Sequence, residues 1–208
     1  MGKGLFRLLA LGFLVATSTN AAAFGFQDVV ALAQKRAQKP YAPPPKIPDF
    51  LQKLTFEQYQ GIRFKPDKNL WRNTGSLFQV MLVSPGLYYD HAVGINVVDQ
   101  KGVHPVTFNK SDFTFSDPKI EKVVPPDLGF AGFKLTYPFF KPQVENQFLV
   151  FAGASYFRGV GKNNAFGLSA RGLAVDTGLP SGEQFPSFID YWLVRPAPGA
   201  HPSSAPAP

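Results

Sequence analysis

Short segments of alternating apolar and polar residues, cut by turn signals, recur through most of this chain and leave few folds open to it. Phe78, Val80 and Leu82 alternate with Gln79, Met81 and Val83, and Phe133, Leu135 and Tyr137 alternate with Lys134 and Thr136. A period of two puts successive side chains on opposite faces of a strand, here with one wetter face. Further strand-like stretches cover 92–98, 103–108, 112–115, 147–157, 165–176 and 187–194, with Pro85-Gly86, Lys101-Gly102 and Pro125-Pro126 among the breaks. Strands this short and this closely spaced predict an all-β fold, a sandwich or a barrel.

Two helices precede the strands. Phe26, Val29, Val30, Ala33 and Ala37 share one helical face, Lys35, Arg36 and Lys39 stand near the C-terminal end, and Pro40 stops the pattern. Thr55 and Gln58 have capping-box spacing for a second, short helix that Gly61 ends.

The two ends of the chain read differently from its middle. Residues 1–23 carry Lys3 and Arg7, an apolar run from Leu8 to Ala16, and small residues before Ala23, the pattern of an export signal cut between Ala23 and Phe24. The apolar run is about half the roughly 20 residues that span a bilayer, so no stable membrane anchor is expected after the cut. Residues 24–48 form a helix and a Pro-rich connector, 49–195 the folded body, and 196–208 a Pro/Ala tail without core-forming side chains, predicted to be disordered.

Charge follows the same division. The formal net charge is +7, of which the leader holds two, residues 24–53 a net three, and the body the remainder from 14 basic and 12 acidic side chains. No run of Lys and Arg interleaved with aromatics occurs, so no nucleic-acid partner is expected. Cysteine is absent and the three histidines show no metal-ligand spacing, so no metal and no cofactor is expected.

Familiar catalytic signatures are incomplete. Gly153-Ala154-Ser155-Tyr156-Phe157 and Gly167-Leu168-Ser169-Ala170-Arg171 lack the last glycine of a G-x-S-x-G elbow. Gly159-Val160-Gly161-Lys162 is followed by Asn163 where a phosphate loop needs Ser or Thr, and reads as a hairpin tip. Asp90 and His91 are neighbours that a strand would send to opposite faces, so no pair is expected of them. What remains is a set of aromatic and polar residues, Tyr88, Tyr89, Tyr156, Trp71 and Trp192 with Arg158, Arg171, Asp90, Asp176 and Asn163. Flat rings cover the apolar face of a sugar while charged groups bond its hydroxyls, although for any single aromatic a place in the core is the commoner role. Arg171 shares its predicted face with Gly167, Ser169, Leu173 and Val175, opposite a more continuous apolar face, which places it in a cleft or in a buried pair.

Several long runs then carry a family resemblance. Leu128-Gly129-Phe130-Ala131-Gly132-Phe133, Phe151-Ala152-Gly153-Ala154-Ser155-Tyr156-Phe157-Arg158, Gly167-Leu168-Ser169-Ala170-Arg171-Gly172-Leu173-Ala174 and Ser181-Gly182-Glu183-Gln184-Phe185-Pro186 resemble the periplasmic glucans biosynthesis protein G/D family, in order and spacing. Tyr59 to Phe64 and Asn69-Leu70-Trp71 extend the match. The resemblance implies a periplasmic protein needed to make osmoregulated periplasmic glucans. It implies an antiparallel β-sandwich similar to the galactose mutarotase fold, with a long cleft for β-glucan, present here in part.

Some members of that family are described as β-1,2-glucan hydrolases, a chemistry in which one carboxylic acid protonates the glycosidic oxygen while a second carboxylate activates water. The family's proposed catalytic acid lies beyond the point matching Arg195, so no catalytic residue is carried over. Tyr156, Arg158 and Arg171 are the expected sugar-facing wall, with Asp90 and Asp176 as further binding candidates. Two other readings stand beside this one, a hydrolase interrupted before its catalytic carboxylates and a structural envelope protein that binds a partner through open sheet edges.

Overall fold

The computed structural model describes residues 24–153, 155–161 and 165–201. Helix α1 spans Phe26–Ala37, α2 Asp49–Gln52 and α3 Phe56–Gln60. At α3 the capping box forms as its spacing predicts: Gln58 N donates to Thr55 Oγ1 at 3.2 Å and Thr55 N donates to Gln58 Oε1 at 2.9 Å. Strands follow as β1 (Ile62–Phe64), β2 (Gln79–Val83), β3 (Gly94–Asp99), β4 (Gly102–Pro105) and β5 (Phe113–Phe115), and β6 (Gly132–Tyr137) comes after the short helix α4 (Pro118–Val123). The last four are β7 (Asn146–Ala152), β8 (Tyr156–Val160), β9 (Phe166–Arg171) and β10 (Asp190–Val194).

The molecule is mostly β-sheet with few helices, a sandwich-like arrangement as the alternation predicts. One sheet has the order β2-β6-β7-β8-β9 and a second the order β10-β3-β4, while β1 pairs with β5. Rings from the two larger sheets meet between them. Tyr191 of β10 stands edge-on to Phe133 at 5.0 Å and to Phe151 at 6.0 Å between centroids. Val80, Leu82, Ile95 and Phe133 are buried in the same core.

Three details differ from the sequence reading. The stretch 147–157 is two strands rather than one, because Gly153 and Ser155 take φ of +76° and +38° and reverse the chain. The β3–β10 pair is parallel where an antiparallel sheet is expected, since β10 returns to β3 only after β6 to β9 of the five-stranded sheet have intervened. Helix α4, absent from the sequence reading, starts at Asp117, whose side chain accepts from Lys119 N at 2.8 Å, with Pro118 in its first turn.

Both flanking segments touch the body. Phe24 stacks on Trp192 at 6.0 Å, and Arg36 pairs with Asp190 at 3.3 Å. Ala23, on the other side of the expected cut, lies outside the described residues. In the Pro-rich connector, Ile47 is buried and its N–H donates to Asp90 O at 2.9 Å. Of the tail, residues 196–201 are described and lie against the body. Gly199 N donates to Gly75 O at 3.2 Å, and Tyr137 Oη and His201 Nδ1 share a hydrogen bond of 2.8 Å.

Candidate functional site

Register decides which side chains share the open face of the five-stranded sheet. Phe133, Phe151, Phe157 and Ala170 are cross-strand partners in one row. Phe133 is buried there and stacks on Phe151, which stacks in turn on Phe157. The neighbouring row therefore points the other way. It runs Met81, Lys134, Val150, Arg158, Ser169, one residue from each strand, and Tyr156 pairs with Arg171 one step along.

Three predicted site residues are thus brought together. Tyr156 Oη donates to Ser169 Oγ at 2.9 Å and Arg158 Nε donates to the same oxygen at 3.0 Å. Arg171, opposite Tyr156, places its guanidinium carbon 3.9 Å from the centroid of the Phe185 ring. A guanidinium on a ring face is held by the ring's quadrupole while its N–H groups stay free to point elsewhere. The result is a half-exposed patch with a phenol, two guanidinium groups and a hydroxyl, backed by an aromatic.

Tyrosines continue the patch toward α3. Tyr89 packs against Gly153, where an added Cβ would meet the ring at 3.1 Å, and stands edge-on to Tyr59 at 5.9 Å. Burial first, and the neighbouring Tyr156 phenol second, raise the pKa of Tyr89. Burial likewise holds the Tyr59 phenol well above its ordinary range, and its hydroxyl donates to Ser84 O at 2.8 Å.

The two aspartates stand apart from the Ser169 cluster. Asp90 Oδ1 meets His91 Nδ1 at 2.9 Å and Asp90 Oδ2 meets Lys46 Nζ at 3.4 Å. The hydrogen bond from His91 is the largest influence lowering its pKa. This corrects the expectation that Asp90 and His91 do not pair. They precede β3 at an isolated bridge to Lys46, where the alternation of a regular strand does not hold. Asp176 sits at a turn with φ +58° and accepts from Gln184 Nε2 at 3.3 Å. Val175, before it, bridges Gln184 through two backbone hydrogen bonds of 2.9 Å, and Gln184 precedes Phe185. Leu173 and Val175, expected on the Arg171 face, lie beyond β9, which ends at Arg171.

Sequence reasoning missed several members of this face. Ser169 appears in the sequence only as a neighbour of Arg171, and its double acceptor role depends on register across the β8–β9 hairpin. Lys134 is legible as the polar member of an alternating strand, and burial lowers its pKa. At the far side Gln79 Nε2 donates to Glu145 Oε1 at 2.8 Å and Thr136 Oγ1 donates to Glu145 Oε2 at 2.7 Å, a network no spacing rule reveals. Two surface hollows lie elsewhere, one of about 500 Å³ beside Glu57, Arg63 and Thr114 and one of about 310 Å³ beside Asn96, Phe108 and Asp127.

Fold and face together define a sandwich-like, mostly antiparallel β-protein that displays polar and cationic side chains on one sheet. The chain belongs to the family described as periplasmic glucan biosynthesis protein, MdoG, whose family model matches residues 24–205. It is 45% identical to Glucans biosynthesis protein G of Ralstonia nicotianae over 194 residues, which cover 92% of this chain and 38% of that protein. Proteins of the same name from Dickeya dadantii and Bradyrhizobium diazoefficiens are 42% and 44% identical over 88% and 89% of the chain. The chain spans between 35% and 38% of the length of these three relatives. Among the described residues no helix is long and apolar enough to cross a membrane.

Proposed function

We propose that this protein acts in the biosynthesis of periplasmic glucans by holding a β-glucan on the open face of its five-stranded sheet. The observation that carries the reading is the convergence of Tyr156 and Arg158 on Ser169 Oγ beside the Arg171–Phe185 stack. Phenol, guanidinium and hydroxyl groups bond sugar hydroxyls, and exposed ring surface covers the apolar face of a pyranose. Family membership supports the choice of polymer, and the basic and apolar pattern of residues 1–23 supports a route to the periplasm.

Binding, rather than bond cleavage, is the role assigned. Asp90 is engaged by His91 and Lys46, Asp176 by Gln184, and Glu145 by Gln79 and Thr136. Calorimetric titration of the purified protein with linear β-1,2-glucan tests the reading against a full-length relative under the same conditions. Heat of binding in both supports it; binding by the relative alone refutes it.

A further inference from the structure

Aromatic rings gather at the tip of the β6–β7 hairpin. Tyr137, buried at the end of β6, lies 4.9 Å from Phe78 and 4.9 Å from Phe139 between centroids. Phe139 in turn meets Phe148 at 5.7 Å and Phe140 at 6.4 Å. The cluster is covered at its base and open at its top, where Phe139 is 44% and Phe140 59% exposed. Val144, in the turn that its N–H closes onto Lys141 O at 3.0 Å, is exposed as well. A ridge of rings turned to water marks a place where another chain packs.

A proline-bearing segment already lies against one end of this cluster. Pro198 sits over Gly75, where an added Cβ would meet its ring at 3.2 Å, and Gly199 N donates to Gly75 O at 3.2 Å. Two residues on, His201 shares its hydrogen bond with Tyr137. Proline-rich backbone suits aromatic surfaces because its φ is fixed before it docks, so little entropy is lost, and its rings pack flat on theirs. Phe139 and Phe140 extend the same cluster outward from Tyr137.

The chain carries a second segment of this kind. Residues 40–45 run Pro40-Tyr41-Ala42-Pro43-Pro44-Pro45, lie in neither helix nor strand, and leave Tyr41 87% exposed. The connector is tied to the body only after them, through the Lys46 pair with Asp90 and the Ile47 hydrogen bond. The segment is therefore extended, apolar and open to a partner.

We propose that the Phe139–Phe140 ridge of one copy of this protein takes residues 40–45 of a second copy, in extended polyproline conformation, with Tyr41 packed against Phe140. Each copy offers one ridge and one segment, so the contact runs head to tail. It uses none of the residues around Ser169 and stands apart from the glucan reading.

A labelled peptide of residues 38–48, titrated with the intact protein and followed by fluorescence anisotropy, tests the ridge. The peptide is expected to bind, and to bind about fivefold or more weakly to Phe140→Ser, the loss that follows truncation of an aromatic anchor. A peptide with Pro43, Pro44 and Pro45 changed to alanine is expected to bind as poorly. Should Phe140→Ser fail to fold, Tyr41→Ser in the peptide tests the same contact from the other side. Sedimentation velocity tests the second copy: Tyr41→Ser and Phe140→Ser proteins each associate less than the parent, and an equimolar mixture of the two regains a dimer. The mixture succeeds because one variant keeps its ridge and the other its segment. No binding of the peptide overturns the proposal, and equal binding to Phe140→Ser overturns the position. Undiminished binding of the alanine peptide overturns the polyproline chemistry. Peptide binding with sedimentation unchanged in Tyr41→Ser overturns the second copy as the occupant.

Discussion

Arg158 Nε donates to Ser169 Oγ at 3.0 Å across the β8–β9 hairpin, tying a charged side chain to a small hydroxyl that a second donor, Tyr156, already uses. One oxygen therefore fixes the heading of two long side chains. Ser169→Ala frees both. Glucan binding is expected to fall about five- to tenfold, near the 1 kcal/mol of a typical hydrogen bond, with a melting temperature close to that of the parent because the group is exposed. Calorimetry paired with a thermal melt checks both halves; an unaltered affinity would sink the role of Ser169.

Arg171 depends on a flat partner. Arg171→Lys keeps the charge and loses the planar stack on Phe185, so its affinity is expected to drop nearly as far as that of Arg171→Ala. Phe185→Leu, which removes the ring from the other side, is expected to act in the same direction. Full affinity in Arg171→Lys would mean that charge alone matters.

These contacts show what the sequence could and could not disclose. Tyr156, Arg158 and Arg171 stood out as residue types, and their conjunction followed from family spacing. Ser169 did not, because an acceptor on β9 serving two donors on β8 is defined by register, which an irregularity between Arg158 and Val160 shifts only two residues away. The Asp90–His91 pair was hidden for a related reason: the period-two rule applies inside strands, and both residues lie before β3 begins. Alternation found the strand centres well, yet Gly153 and Ser155 split one apparent strand because backbone φ leaves little trace in hydropathy.

Lys134 makes stability depend on pH. Burial lowers its pKa, so the unfolded chain holds the proton more tightly than the folded one. From the lowered value up to the ordinary value of 10.5, stability rises with pH as the unfolded state gives up that advantage. Urea melts of parent and Lys134→Met at stepped pH are expected to diverge in this interval, the parent gaining relative to the variant. Tyr59, Tyr89 and Tyr191 act in the opposite sense above pH 10, where their raised pKa keeps the folded phenols neutral while unfolded ones ionise. Parallel curves throughout would contradict the lowered pKa.

Gly132 opens β6 with φ +152°, and a Cβ built there would run into the carbonyl of Phe151 on β7. Gly132→Ala is expected to lose about 2 kcal/mol or more of stability through strain and a displaced neighbour. Chemical denaturation reads the loss directly, and a midpoint unchanged within error would refute it.

Exposed edges predict association. The outer edge of β9 has no neighbouring strand among the described residues, and Leu173, Val175 and Leu179 are exposed nearby in sequence. The protein is expected to self-associate as its concentration rises. Sedimentation velocity at several concentrations would show this, whereas a constant monomer with a sharp cooperative melt would argue against it.

The parallel pairing of β3 with β10 also sets a timetable. Asn96 Nδ2 bonds Tyr191 O at 3.1 Å across 95 positions of sequence, so an emerging chain makes one half of this contact long before the other exists. Until β10 arrives, β3 has β4 as its partner in that sheet, and Tyr191 is missing from the edge of the Phe133–Phe151 stack. Pairings this distant are slow to form. Chains ending before Asp190 are expected to stay open to protease, and those extending past Arg195 to close.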